Sequence, residues 1–598
     1  SFVILLSLTF PLHSFAHSGH IHTENPQVFS ESEDATNELI AQVKNIQGKQ
    51  TTVSLQKLSS LSTKRKEARL RLAKESPRLF INSAMKKTDR ALLPISIQKD
   101  VEQAVTKKAK LSVIHVDDFN NQDNDEYRYT LVSGKIKTVF YPTSDISKYA
   151  GSYVQISGYQ IGDVFVAGTD GTSTFQVLNS ASNIEATVEH KTFFFLVDLV
   201  GSKAKNFTRQ EAYDAIFTGP FQQLMREQSY GRASFSGGVS DWIFVNKVTQ
   251  PGVCGIVTLD DQEIKDYIAS HNINIGAYNH IVFLLPGGGG CSSVGVYDTT
   301  IGNTTYTIST SWVGYGYGFD NYSYPYPFLT DNSQPFFWST FHYVLAHELG
   351  HAMGLLHASG LDCDTKQVDI NCTRMEYGSV FDLMGSNAGT LHYSGIYKAF
   401  LGWILPSETL TITSSGHYTL NPLEYASSTI KFGNIKMLGA TSTVYSLEYR
   451  QAVGFDAKLK EPPFILNQTG LLVSKIEDDE RPHTLLLDAS PTNLDWYTDI
   501  SQDAVLHSGE TFTDTATGVT IKNVTIGTSS IPSLSFDVDI ISPTCIQGGV
   551  ATIQSYLNSA TTTPGNIITI TNVYRNLDTI SCSPREYQYS VSSPQDFS

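Results

Sequence analysis

Residues 347–357 read HELGHAMGLLH, and no other stretch of the 598-residue chain carries as much chemical information. The six residues before it contain neither Gly nor Pro and predict a helix, so His347 and His351 fall on one helix face. Both imidazoles can then bind one metal ion. Gly354 predicts the helix end, because glycine adopts turn conformations that side chains resist, and His357 can return as a third ligand.

Glu348 directly follows the first of these histidines, so its carboxylate predicts a general base beside the metal and not a further ligand. Three protein ligands leave a fourth position open, which is typical of catalytic zinc and not of structural zinc. We therefore expect zinc to activate water, with Glu348 moving a proton from that water to a leaving amine. Two alternatives stay open: a core helix whose histidines only form hydrogen bonds, and a zinc site that has lost catalysis.

The same pattern is the extended zinc signature of the metzincin metalloproteases, which also carry a downstream Met-turn. Residues 381–385 read FDLMG and match that turn, which implies that Met384 forms an apolar floor beneath the zinc ligands. The segment 376–385, together with HYS at 392–394 and LGW at 401–403, resembles the gametolysin-like branch. Ser379 departs from that branch, in which an acidic residue follows the Tyr-Gly pair.

Some metzincins use a tyrosine near the Met-turn to assist the oxyanion. The resemblance implies this role for one of three residues, Tyr377, Tyr393 or Tyr397, and the sequence does not choose among them.

The resemblance also implies the fold class: an α+β metzincin-like catalytic domain, with a mixed sheet plus a zinc-binding helix, flanked by β-rich N- and C-terminal domains. Composition shifts and strand patterns divide the chain further. The expected divisions are 1–16 as a signal peptide truncated at its start, 17–110 as a propeptide-like N-terminal region, 111–187 as a small β domain (barrel or sandwich), 188–405 as the metzincin zinc protease domain, 406–541 as a β-sandwich, and 542–598 as the truncated start of an Ig-like repeat.

Inside the expected catalytic domain, the pattern predicts a helix over 209–227, a hairpin over 233–245 and a buried strand over 280–285. The alternating segment 306–312 fits either the edge strand that pairs with a peptide substrate or an interior strand. The acidic stretch 117–126 is interpreted as a solvated turn, with calcium binding as the alternative.

Composition excludes some classes of partner. A formal net charge of -16 and a pI near 5.4 argue against nucleic-acid binding, since no excess of Lys and Arg neutralises phosphates. No segment has eighteen consecutive apolar residues, so no membrane span is expected. The apolar start and the small residues Ser14 and Ala16 predict export, with the protein secreted, extracellular or periplasmic in transit.

The six cysteines form three sequence-local couples that predict disulfides in an exported protein: Cys254 with Cys291, Cys363 with Cys372, and Cys545 with Cys582. Free buried thiols are the alternative. No cysteine precedes Cys254, so a thiolate from the N-terminal region cannot silence the zinc.

These observations predict a secreted zinc-dependent endopeptidase, monomeric, whose substrates are extracellular proteins or glycoproteins. An alternative from another class is a secreted adhesin or polysaccharide-binding protein with a vestigial zinc site. A third hypothesis keeps the zinc hydrolase but changes the bond, to amide groups on cell-wall or mucin material.

Overall fold

The structure is a computed structural model that describes most of the chain. The described residues are 25–46, 52–117, 125–169, 174–179, 189–202, 207–248, 253–287, 289–315, 337–369, 371–385, 391–436, 443–460, 469–477, 481–492, 494–529, 531–541, 550–557 and 570–576. The predicted signal peptide, 1–16, lies outside the described residues, as do both cysteines of the couple Cys545 and Cys582.

The elements follow one another in mixed α and β order. The α-helices of the described chain are α1 (Pro26–Ile46), α2 (Thr52–Glu75), α3 (Pro77–Asn82), α4 (Lys87–Ala91), α5 (Ile95–Gln98), α6 (Arg209–Tyr213), α7 (Pro220–Gln228), α8 (Gln262–Ser270), α9 (Phe337–Ala352), α10 (Gly395–Phe400) and α11 (Trp496–Asp503). Its strands are β1 (Gln103–Asp117), β2 (Glu126–Ser133), β3 (Ile136–Pro142), β4 (Tyr153–Ile161), β5 (Val164–Ala167), β6 (Phe175–Asn179), β7 (Glu189–Val200), β8 (Ser234–Val248), β9 (His280–Leu285), β10 (Gly290–Ser293), β11 (Tyr297–Ile301), β12 (Thr304–Gly314), β13 (Ala358–Asp362), β14 (Thr373–Met375), β15 (Thr409–Ile412), β16 (Gly416–Leu420), β17 (Phe432–Lys436), β18 (Thr443–Tyr449), β19 (Leu471–Ile476), β20 (Thr484–Leu487), β21 (Phe512–Asp514), β22 (Val519–Ile526), β23 (Leu534–Ile540), β24 (Val550–Leu557) and β25 (Ile570–Asn576).

The helices α1 to α5 come first, and α1, α2 and α5 share an apolar core. In α1, Leu39, Val43 and Ile46 recur at helical spacing and are buried. Arg65 of α2 forms a buried two-armed ion pair with Glu102, with N–O distances of 2.8 and 2.9 Å. Because Glu102 immediately precedes β1, this pair fixes the start of that strand to the helices.

Strands β1 to β5 close into a barrel in the order β1-β2-β3-β5-β4-β1, and β6 pairs with β4. β1 closes the ring because it is 15 residues long and pairs antiparallel with both β2 and β4. Buried apolar side chains from all six strands fill the interior, as in other small barrels.

The end of β1 continues the barrel into a second, mixed sheet. β1 pairs antiparallel with β10, and the order then runs β10-β12-β9-β7-β8, with β12, β9, β7 and β8 mutually parallel. β9 is buried along its whole length, as the sequence predicted, and it has a packed core on each face. The expected mixed sheet is therefore present.

In this region one predicted helix is interrupted and one predicted hairpin is wrong. The helix expected over 209–227 is divided into α6, a π-helical turn (Asp214–Thr218) and α7, because Gly219 is extended and Pro220 cannot continue a preceding helix. The hairpin expected over 233–245 is the single strand β8. Its Gly237 does not form a turn but lets β8 approach β7, since a Cβ there would lie 1.8 Å from the carbonyl oxygen of Thr192.

The segment 306–312 belongs to an interior strand. From residue 309 onward β12 has β9 on one side, and β10 and β11 lie along its other side. The outer neighbour is β10, which β1 covers. Of the two possibilities left open by the sequence, the interior strand is the one observed.

Strands β15 to β23 belong to two packed sheets, and β24 and β25 pair with each other. One has the order β14-β13-β20-β19-β18-β17-β15 and the other β16-β23-β22-β21, with a shared apolar core between them. β13 belongs to the first sheet and pairs parallel with β20, which comes far later in the chain. The sheet therefore joins the region after the zinc-signature helix to the C-terminal strands.

Disulfides connect two of the three predicted couples: Cys254–Cys291 and Cys363–Cys372, with Cα–Cα distances of 5.7 and 4.2 Å. The first ties β10 to the loop before α8. Among the helices that the structure describes, none combines the length and apolar character needed to cross a membrane.

Candidate metal centre

Helix α9 and the turn after it bring three histidines together. His347 and His351 project from the last turns of α9, which ends at Ala352. Gly354 then adopts a φ of +102°, as expected for a glycine that releases the chain from a helix, and His357 immediately precedes β13. All three imidazoles are fully buried.

The inward ring nitrogens have the spacing of ligands around one ion. His357 Nε2 lies 3.3 Å from His347 Nε2 and 3.2 Å from His351 Nε2. A tetrahedral zinc ion with Zn–N bonds of about 2.0–2.1 Å holds its ligand nitrogens about 3.3 Å apart. His357 Nε2 is therefore at ligand spacing from the Nε2 atoms of both other predicted ligands.

Outer contacts orient the rings. Each Nδ1 atom faces an oxygen acceptor: His347 faces the carbonyl of Leu383 at 3.0 Å, His351 the carbonyl of Leu355 at 2.8 Å, and His357 Glu376 Oε1 at 2.7 Å. When Nδ1 donates to such an oxygen, the lone pair of the neutral ring is on Nε2 and points inward. This is the usual outer arrangement of histidines that bind metals.

A carboxylate from the N-terminal barrel stands among the three histidines. Asp117, the last residue of β1, places Oδ1 at 2.8 Å from His357 Nε2 and 3.6 Å from His347 Nε2, and Oδ2 at 3.7 Å from His351 Nε2. Although burial opposes ionisation, neighbouring histidines such as His115 and His351 keep the pKa of Asp117 well below its usual range. Asp117 is thus a buried anion that faces the inward nitrogens.

His115, two residues before Asp117 on the same face of β1, widens the cluster. Its Nδ1 lies 2.9 Å from Asp117 Oδ1, and its ring meets that of His357 edge-on at 4.1 Å. Burial lowers the pKa of His115 to about 3, so its ring is neutral near pH 7. Ligand atoms of four buried residues, His115, Asp117, His351 and His357, all lie within 4.8 Å of one another and could hold a metal ion.

The centre of the cluster favours positive charge. Burial would lower the pKa of His357, but Asp117 and Glu376 on its two sides outweigh burial and raise that pKa to about 9. A metal ion at the same point would supply the positive charge in place of that proton. The donor set therefore fits a cation, and imidazole nitrogens with one carboxylate are suitable ligands for zinc.

Glu348 lies beside the cluster, and its side chain is fully buried. Burial, followed by the negative charge of Asp117 and a hydrogen-bonding contact with that side chain, raises the pKa of Glu348 well above its usual range. Gly290 of β10 leaves room for the Glu348 side chain, because a Cβ at this position would lie 2.1 Å from Glu348 Oε1.

The structure separates the three tyrosine candidates. Tyr377 has its ring 3.8 Å from that of His357, measured between centroids, and its hydroxyl donates to Asp117 Oδ1. Tyr393 and Tyr397 instead donate to backbone carbonyls, those of Ala346 and His357. Tyr377 alone among the three thus extends its hydroxyl into the cluster.

Met384 lies under the last turn of α9. A Cβ on Gly350 would come within 2.4 Å of Met384 Sδ, so the glycine of the zinc signature allows this close contact. The Asp382 carboxylate accepts from the backbone N–H of Met384 at 2.7 Å and shapes the turn. This turn also orients the His347 imidazole, because the Leu383 carbonyl faces His347 Nδ1.

Sequence reasoning did not identify Asp117, His115 or Glu376 as parts of the cluster. The available signal was weak: a His and an Asp two residues apart at the end of an alternating strand share one face, but many solvated strand ends look the same. The interpretation of 117–126 as a solvated turn is wrong for Asp117 and for Asp125, which are both buried. Residues 118–124 lie outside the described residues.

The fold and the site together define a mixed α/β protein of several sheets with a buried histidine–aspartate cluster that can hold a metal ion. No protein-family model matches the sequence, and a search of curated proteins found no match.

Proposed function

We propose that the chain is an exported zinc-dependent endopeptidase of the metzincin, gametolysin-like kind, with Glu348 as its general base. The observation that carries the proposal is the joint placement of three inward imidazole nitrogens and the fully buried Glu348 carboxyl group beside them.

The residues divide the work between binding and proton transfer. His347, His351 and His357 would hold the ion, and zinc supplies a Lewis acid that polarises a carbonyl and makes water acidic enough to react near neutral pH. Glu348 would accept the proton from the attacking water and deliver it to the leaving amine. The Tyr377 hydroxyl would donate to the oxygen of the scissile carbonyl as negative charge develops on it.

The sheet beside the cluster supports an extended polypeptide as substrate. Residues 114–117 of β1 already lie antiparallel along β10 in extended conformation and end at the histidines. A site that accepts the middle of a chain is suited to internal cleavage, and backbone pairing demands little of the sequence bound. We therefore assign endopeptidase activity on proteins or glycoproteins by a monomeric enzyme.

Two disulfides support export, since disulfides persist in oxidising compartments and are rare in the reducing cytosol. Met384 would serve as the structural Met-turn residue beneath the ligands. A secreted protease would also have access to extracellular matrix or surface glycoproteins as substrates.

The test measures the effect of Glu348→Gln in two chains: the natural chain, and the Asp117→Ala variant, which lacks the Asp117 carboxylate in the cluster. We expect Glu348→Gln to retain bound zinc and to lower casein or gelatin hydrolysis by at least about a hundredfold, the scale of general-base contributions. Glu263→Gln, at a half-buried position of α8 that accepts from the backbone N–H of Asn246, is the matched control and keeps full activity. Near-full hydrolysis by Glu348→Gln would contradict the mechanism.

The same experiment addresses the adhesin alternative. If Asp117→Ala binds zinc at the three histidines but hydrolyses no protein or peptide, the centre is vestigial and a binding function is favoured.

A further inference from the structure

We propose that Asp117 is a fourth ligand of the metal ion and that β1, by supplying it, holds the intact chain in a latent state. This inference rests on the proposed function, because latency has a meaning only for a catalytic centre. It assigns to the N-terminal barrel a role in the site that the zinc signature alone does not contain.

The position of the carboxylate is the first argument. Asp117 faces the inward nitrogens of all three predicted histidine ligands, with its nearest oxygen 2.8 Å from His357 Nε2. A catalytic zinc centre needs a fourth position open to water or substrate, whereas four protein ligands close the centre. Asp117 stands where that open position would be.

The hydrogen bonds around Asp117 hold it there. The Tyr377 hydroxyl donates to Oδ1, so the residue best placed to assist a substrate oxyanion is engaged with Asp117 instead. Both side chains are buried, and water does not compete for this contact. Release of Asp117 would free the ligand position and the tyrosine together.

Strand pairing blocks the second requirement of catalysis, access for the substrate. In the β1–β10 ladder, Asp117 is opposite Gly290, and residues 114–116 are opposite 291–293. Gly290 is also the residue against which Glu348 packs. The pairing thus covers the sheet edge exactly beside the general base, where an extended substrate would have to bind.

The barrel is attached to the rest of the chain by more than this short ladder. Arg481 donates to the carbonyls of Ser147 and Ala150 at 3.2 Å each, and Lys110 forms an ion pair with Asp298 at 2.9 Å. The core of the barrel also includes side chains from outside it, Val294 and Leu356. These contacts, formed with the region after the barrel, keep β1 from leaving the site by local fraying.

A spectroscopic experiment on the full-length protein tests the assignment without relying on turnover. The wild-type chain and Asp117→Ala are loaded with Co²⁺ in place of zinc and titrated with acetohydroxamate, a small chelating anion, while the visible absorption of the cobalt is recorded. We expect the variant to keep one Co²⁺ per chain and to bind acetohydroxamate at least about tenfold more tightly, because the competing internal ligand is gone.

Two further variants make the result specific. Asp117→Asn preserves the shape of the side chain and removes its charge, so it also opens the position if Asp117→Ala fails to fold. Asp145→Asn is the matched control: Asp145 accepts from the Tyr129 hydroxyl in the same barrel at 2.6 Å, and its replacement leaves the cobalt spectrum and the titration unchanged.

Either of two outcomes overturns the proposal. If wild type binds acetohydroxamate as tightly as both Asp117 variants, the fourth position is already open. If both variants lose the metal, Asp117 is an essential ligand of a closed structural site and does not act as a removable inhibitory ligand.

Hydrolysis measured on the same samples separates this proposal from the proposed function. Equal peptidase activity in the wild type and the variants would support the protease assignment and contradict the latency. A cobalt response restricted to the variants, without hydrolysis by any of them, would support Asp117 as a ligand and contradict both the protease assignment and the latency.

Discussion

Gly290→Ala is expected to damage catalysis while leaving the chain folded. The added Cβ would lie 2.1 Å from Glu348 Oε1, 2.6 Å from Cδ and 2.7 Å from Cγ, so the whole end of the Glu348 side chain must move. An ordinary contact of 3.4 Å requires a displacement of Oε1 of about 1.3 Å. Insertion of one methyl into a packed site costs about 1–3 kcal/mol, and a misplacement of about 1 Å near the reacting atoms can cost a hundredfold in rate.

The assay measures three quantities in the Asp117→Ala background: zinc content, thermal unfolding and peptide hydrolysis. We expect zinc content to be unchanged, the unfolding midpoint to fall by a few degrees, and kcat/KM to fall about a hundredfold. Gly433→Ala in β17 is the control, since its Cβ would meet no atom closer than 3.4 Å. Hydrolysis by Gly290→Ala within about threefold of its parent would refute the argument that Gly290 makes space for the base.

Three other results are expected. Glu376→Gln removes the carboxylate that faces His357 Nδ1, and zinc affinity measured by competition with a chelator falls about 10–100-fold. Acid should release the N-terminal helices, because Arg65 and Arg69 outweigh the burial that opposes ionisation of Glu102 and lower its pKa to about 2. The ionised Glu102 side chain therefore contributes about 3 kcal/mol of stability, which is complete above pH 4.5 and is lost as the pH falls through 2. The protease sensitivity of α1 and α2, measured against pH, checks this result. Removal of zinc by a chelator lowers the unfolding temperature measured by calorimetry, and added zinc restores it, because an ion bound to the folded state alone stabilises that state.

The zinc signature predicted local structure well because its information is local. The spacing of His347 and His351 needs only a helix, and Gly354 needs only a turn, so the path of the chain through 347–357 follows from the residues themselves. The buried strand over 280–285 was predicted for a similar reason: an unbroken apolar run of that length fits a central parallel strand. The Cys254–Cys291 and Cys363–Cys372 pairings were also predicted correctly from sequence proximity.

The contributions from distant parts of the chain were not predictable in this way. Asp117 reaches His357 across 240 residues, and no periodicity in the sequence encodes that meeting. The strand order of the mixed sheet is likewise a property of tertiary pairing: the alternation over 306–312 fits an edge or an interior strand equally, and only the position of β10 decides. The hairpin predicted over 233–245 was wrong because a glycine inside a strand, here Gly237, permits close backbone approach as readily as a turn.

The parallel pairing of β13 with β20 sets an order of events during synthesis. β13 begins at Ala358, directly after the third ligand candidate, yet its partner strand lies on the order of a hundred residues further along the chain. Trp496 then fills the space above Gly360 and donates its indole N–H to the carbonyl of Gly378, beside Tyr377. The strand partner of β13 and the Trp496 contact with Gly378 therefore become available only after α11 has been synthesised, well after every residue of the histidine–aspartate cluster.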